Sequence, residues 1–145
     1  MTPQPTRKAV YIVEDSSTIT ERLASLLRDL ANVEILGISG RASQAIQEIK
    51  DLQPDIVTLD LQLMEGSGID VLREVKKTPN PPTIIILTNY ADVPYRAHCQ
   101  SLGADHFFDK AIDFPEVIDF ISSWDYPSQR ERNFPSIPPP VNSVY

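Results

Sequence analysis

Hydrophobic positions along this chain fall into two kinds of run that take turns. Short, dense apolar runs occupy 9–13, 33–38, 55–61, 83–87 and 105–108. Each is bounded by polar residues, proline or glycine and is too short for a helix. Near-continuous apolar runs of this length predict strands buried on both faces of a parallel sheet. Between them the spacing changes to three and four residues, the helical period. Ile19, Leu23, Leu26, Leu27 and Leu30 mark a first helix, with Ser16 or Ser17 as its cap and Glu21 early in its body. Ala42, Ala45, Ile46, Ile49 and Leu52 mark a second, stopped by Pro54. After a loop made permissive by Gly66 and Gly68, Ile69, Val71, Leu72 and Val75 form the inner face of a third, which ends before the prolines at 79–82. A fourth carries Tyr95, His98, Cys99 and Leu102. Asp92 is placed to cap it, Pro94 stands in its first turn and Gly103 closes it. Phe114, Val117, Ile118, Ile121 and Trp124 belong to a fifth, with Asp113 as cap.

Five strands alternating with five helices predict an α/β fold. Its form is a doubly wound five-stranded parallel sheet with helices on both faces, in the common flavodoxin-like order 2-1-3-4-5. Residues 1–8 read as a flexible lead and 9–125 as one domain. From 126 to 145 the chain is proline-rich, with Pro138-Pro139-Pro140 unable to continue a helix or a central strand, and this stretch predicts a tail without regular structure.

Composition narrows the function. A chain of 145 residues is one domain by length and large enough to fold without a disulfide or metal. Its single cysteine, Cys99, reads as a small core residue of the fourth helix. His98 and His106 have no metal-ligand partner at helical spacing. There is no signal-peptide core and no apolar run of the ~20 residues that cross a membrane, so the expectation is a cytoplasmic protein that does not enter the membrane. A formal net charge of −7 argues against nucleic acid as direct partner.

The chemistry gathers at strand ends. Parallel strands place all their carboxyl ends on one edge, where ligands bind in such sheets. Glu14 and Asp15 follow the first strand, Asp60 the third, Thr88 the fourth and Lys110 the fifth. Taken singly, each has an ordinary reading: a helix-start acid, a turn residue, a strand-end hydroxyl, a solvated lysine. Together they describe something narrower. Two carboxylates ~4 Å apart repel by about 4 kcal/mol at an effective dielectric near 20, so a proton or a cation must sit between them. An oxygen-only donor set favours Mg²⁺. Carboxylate, magnesium, ammonium and hydroxyl make a receptor for a phosphoryl group, with Asp60 as the acceptor.

These residues resemble the receiver domain of two-component response regulators. The likeness covers about residues 8–124: the pair Glu14-Asp15 after an apolar strand, Asp60 within DIVTLDL, Gly68 eight residues on, Thr88 ending TIIILT, and Phe107 and Lys110 within GADHFFDK. The resemblance implies that Asp60 accepts the phosphoryl group. Mg²⁺ would be held by Glu14, Asp15, Asp60 and the backbone carbonyl of Gln62. Thr88 and Lys110 would bind the phosphoryl oxygens, and Phe107 would be an aromatic switch that turns inward when Thr88 moves. Three positions depart from the family pattern. Leu63-Met64 replace the usual Met-Pro, Asn89 replaces a small residue after Thr88, and Ala111 replaces a proline after Lys110.

The function this implies is a stand-alone, single-domain response regulator rather than an enzyme, though one that assists its own phosphorylation and dephosphorylation. Its donor would be a phosphohistidine on a histidine kinase or phosphotransfer protein, and its output a contact with a downstream protein. Receivers also often dimerise through the fourth and fifth helices. Two other classes share the features. A phosphorylation-independent adaptor could use the same fold as a docking surface. An aspartyl-phosphate phosphatase would use Mg²⁺ on a related sheet, but it typically needs a second aspartate where this chain has Gln62. The tail segment Pro135-Ser136-Ile137-Pro138 fits a PxxP spacing that can dock an aromatic groove.

Overall fold

A computed structural model describes residues 7–89, 93–111 and 113–123. Asp92, Trp124 and the proline-rich stretch 126–145 lie outside the described residues. The strands are β1 (Lys8–Val13), β2 (Val33–Ser39), β3 (Ile56–Leu59), β4 (Thr83–Thr88) and β5 (His106–Asp109). The helices are α1 (Ser17–Arg28), α2 (Ala42–Leu52), α3 (Gly68–Val75), α4 (Val93–Ser101) and α5 (Phe114–Ser123). All four strand pairings are parallel, in the order β2-β1-β3-β4-β5. This is the fold that the alternating pattern implies, with strand ends displaced by a residue or two.

Alternation along the central strands divides the core into two layers. Tyr11, Val13, Val57, Leu59, Ile84 and Ile86 face α2, α3 and α4, where Ala45, Leu72 and Cys99 are buried. Val10, Ile12, Ile56, Ile85 and Leu87 face α1 and α5, against Leu23, Leu27, Val117 and Ile121. Apolar runs are continuous in sequence because both strand faces are covered. Each buried Leu or Ile contributes roughly 1.5–3 kcal/mol.

The helix starts follow local chemistry. The Ser16 hydroxyl accepts the Ile19 N–H at α1, and Ser67 does the same for Asp70 at α3. Asp113 stands before α5, but its carboxylate accepts the Asp109 N–H at 2.9 Å and so ties the helix start back to β5. Lys8 donates to the Ile121 and Ser122 carbonyls, both at 2.9 Å, placing a cation on the C-terminus of α5. Leu52, read as part of the α2 stripe, is exposed.

Candidate functional site

The carboxyl edge of the sheet assembles the site because β1 and β3 are neighbours there. The Glu14 N–H donates to the Ser39 carbonyl and the Asp60 N–H to the Val13 carbonyl, both at 2.9 Å, so each acid leaves its strand while still held by the ladder. One carboxylate oxygen from each of Glu14, Asp15 and Asp60 lies within 4.8 Å of the other two. Glu14 and Asp60 are buried and Asp15 is exposed. From the far side comes Lys110, whose backbone N–H is held by the Thr88 carbonyl at 2.9 Å. Its Nζ lies 2.6 Å from Glu14 Oε1 and 2.9 Å from Asp60 Oδ2, with only 8% of its side chain exposed.

The carboxylate oxygens of Glu14 and Asp60 each have a partner. Glu14 Oε2 accepts the Ser16 N–H at 3.0 Å, and Asp60 Oδ1 accepts the Gln62 N–H at 3.3 Å. Among the described residues no hydrogen bond or ion pair engages the Asp15 carboxylate. Burial pushes the Glu14 carboxyl up to about 7, against the pull of the Lys110 and Ser16 hydrogen bonds, and the Asp60 charge adds to the rise. Burial also works against the Lys110 ammonium, but hydrogen bonds and charge from Glu14 and Asp60 outweigh it and hold its pKa above the ordinary value. Three carboxylates facing one ammonium leave two surplus negative charges when all are ionised. That surplus, made of oxygen donors around an outward-facing Asp15, fits a hard divalent cation such as Mg²⁺.

Gly68 explains its own place in the pattern. A Cβ there would come within 2.1 Å of the Asp60 carbonyl oxygen. Any side chain at 68 would push the start of α3 off the strand end that carries Asp60.

A family model for the response regulator receiver domain matches residues 10–122. The chain belongs to the response regulator receiver family. Among curated relatives, a sensory transduction protein LytT from Bacillus cereus is 29% identical over 115 residues, covering 79% of this chain and 46% of that protein. The chain therefore spans about half the length of that relative. A protein-glutamate methylesterase/protein-glutamine glutaminase from Nocardioides sp. is 30% identical over 95 residues, covering 66% of this chain and 26% of that protein. Among solved structures, the signal receiver domain of a Luxo repressor protein from Vibrio parahaemolyticus is 28% identical with a TM-score of 0.72, covering 80% of this chain and 88% of that one. Receivers are phosphoacceptors that work with Mg²⁺ at an acidic pocket.

The receiver brings Glu14, Asp15, Asp60 and Lys110 into one cluster, with Thr88 fully buried at the adjoining end of β4. Gln62 is exposed on the loop after Asp60. Phe107 does not join the cluster. It is turned into the α2–α4 layer of the core, 8% exposed, with the Arg96 guanidinium 5.0 Å from its ring centroid. Arg96 escaped the sequence reading, since only packing of α4 on β5 puts it over the ring. Asn89 is exposed at the strand end, and the Ala111 N–H donates to Asp109 Oδ1 at 2.9 Å, a bond that the family's proline could not make. His106 packs on Phe120, 4.1 Å between ring centroids, and burial lowers its pKa. Among the described residues no helix is long and apolar enough to cross a membrane.

Proposed function

We propose that this receiver takes a phosphoryl group onto Asp60 from a phosphohistidine of a histidine kinase or phosphotransfer protein. It then signals by contacts of the receiver surface, residues 9–125, with a downstream protein. The observation that carries this reading is the Lys110 ammonium bridging Glu14 and Asp60 beside Asp15 at the carboxyl edge of the sheet.

In the transfer an Asp60 carboxylate oxygen attacks the phosphorus of the phosphohistidine. The new P–O bond forms as the P–N bond breaks, and the electron pair and a solvent proton pass to the departing imidazole. Glu14, Asp15, Asp60 and the Gln62 carbonyl would hold Mg²⁺, which would supply charge neutralisation for the phosphoryl oxygens. Lys110, which now neutralises Asp60, turns its ammonium to the incoming group and so keeps its charge paired throughout. Thr88 donates its hydroxyl to a phosphoryl oxygen. Displacement of Thr88 toward the group changes the packing beside Phe107 and links the site to α4. Asn89 stands at the entrance and sets how readily donor and water reach Asp60.

The protein treated with acetyl phosphate and Mg²⁺ should gain one phosphoryl group by intact mass. Asp60→Asn, or removal of Mg²⁺ with a chelator, should abolish the gain. An equal gain in Asp60→Asn would place the phosphoryl group elsewhere and sink the proposal.

A further inference from the structure

The loop that follows Asp60 carries Gln62, and three hydrogen-bonding connections fasten it to the β2–α2 loop and the first residues of α2. The Met64 N–H donates to the Gly40 carbonyl at 2.9 Å, and the Ala42 N–H donates to the Glu65 carbonyl at 2.8 Å. The third connection is made by a side chain. The Glu65 carboxylate accepts the Ser43 hydroxyl at 2.6 Å, and the Ser43 backbone N–H reaches both its oxygens, at 3.2 and 3.4 Å. Helix α2 begins with Arg41 at the cap position, whose side chain makes no capping bond. The carboxylate that caps α2 is thus supplied from 22 residues further on. An anion is favoured at that end of the helix by the exposed N–H groups and the macrodipole.

The β2–α2 loop is in turn fastened to the acidic pair. The Ser39 carbonyl holds the Glu14 N–H at 2.9 Å. Gly40 passes so close to Asp15 that a Cβ on it would come within 2.9 Å of the Asp15 Cα. The segment 39–43 therefore touches both halves of the site, Glu14-Asp15 on one side and the Asp60 loop on the other. On its α3 side the Asp60 loop is closed by a bridge between Gln62 and Ser67.

We propose that Glu65 is a positioning residue for the site. Through Ser43 it clamps the Asp60 loop to the start of α2, and this sets the distance between the Gln62 backbone and the Glu14-Asp15 pair. The inference rests on the reading of Asp60 and its neighbours as a Mg²⁺-dependent phosphoacceptor site. Glu65 acts through its carboxylate on Ser43, holding the Asp60 loop in place rather than serving as a ligand itself.

The test uses the full chain with Glu65→Ala, Glu65→Gln and Ser43→Ala, the Gln variant retaining a carbonyl that Ser43 can donate to. Three quantities are measured: amide hydrogen exchange over 61–67, Mg²⁺ affinity by calorimetry, and the rate of phosphoryl uptake from acetyl phosphate. Glu65→Ala should speed exchange in the loop and weaken Mg²⁺ binding by about tenfold, the usual scale for groups that orient ligands from outside the coordination shell. Glu65→Gln should recover most of the affinity, and Ser43→Ala should fall between. A faster-exchanging loop with unchanged Mg²⁺ affinity would make Glu65 a structural cap and overturn the positioning role. Unchanged exchange in Glu65→Ala would overturn the clamp itself, while a wild type that takes up no phosphoryl group would overturn the reading beneath it.

Discussion

Lys110 is the residue on which the electrostatics of the site turn. Its ammonium is the counter-charge for two buried carboxylates, Glu14 and Asp60. Removing one partner of a buried pair leaves the other uncompensated, at a typical cost of 3–5 kcal/mol. Lys110→Met is therefore expected to lose about 3 kcal/mol of stability near pH 8, measured by denaturant unfolding without Mg²⁺. The loss should shrink in mild acid. Folding raises the Glu14 carboxyl from its ordinary 4.5 to about 7, so the folded protein binds that proton more tightly than the unfolded chain. Stability from this linkage is full below 4.5 and is lost as pH rises through about 7. Glu14→Gln should remove this component of the pH profile. Millimolar Mg²⁺ should restore stability to the wild type at the alkaline end, where the surplus charge is greatest.

At the scale of elements, β3 is buried along its whole length and carries one misfit. Every residue of Ile56–Leu59 is buried, yet the Thr58 hydroxyl has no hydrogen-bond partner. It sits between Ile12 and Ile85 in the register, on the face toward α1 and α5. A buried unsatisfied hydroxyl costs roughly 1–3 kcal/mol. Thr58→Val keeps the shape and should raise stability by about 1 kcal/mol, seen as a higher melting temperature with unchanged phosphoryl uptake. The elements themselves were legible because both helix and strand periods were clean, and the site was legible because parallel strands send their carboxyl ends to one edge. Asp60, Asp15, Thr88 and Lys110 needed only that topology to be grouped. What stayed hidden depends on partners far apart in sequence. Asp55 opens the β3 run, yet its buried carboxylate holds the Ala9 N–H at 2.8 Å, on the edge away from the site. The α2 cap comes from Glu65, and Arg96 covers Phe107, neither of which any local pattern announces.

At the scale of the whole molecule, the proposed link between the site and the α4 surface runs through the end of β4 and the ring of Phe107. Arg96 on α4 holds that ring from outside by a cation–π contact worth about 0.5–1 kcal/mol. In a two-state receiver this contact favours whichever arrangement keeps the ring inward. Arg96→Ala should shift the equilibrium between arrangements by about two- to fivefold. Hydrogen exchange over 93–101 and 106–109, compared before and after phosphoryl uptake, would read that shift, and identical profiles in variant and wild type would remove Arg96 from the coupling. The proposed role of Asp60 as phosphoryl acceptor has a direct chemical test. Reduction with borohydride traps an aspartyl phosphate as homoserine, which peptide mass spectrometry locates to a single residue. After acetyl phosphate and Mg²⁺, homoserine should appear at position 60 and vanish when Mg²⁺ is chelated. Homoserine at Asp15 or at any other aspartate, a reduced glutamate, or no reduced residue at all, would contradict the account.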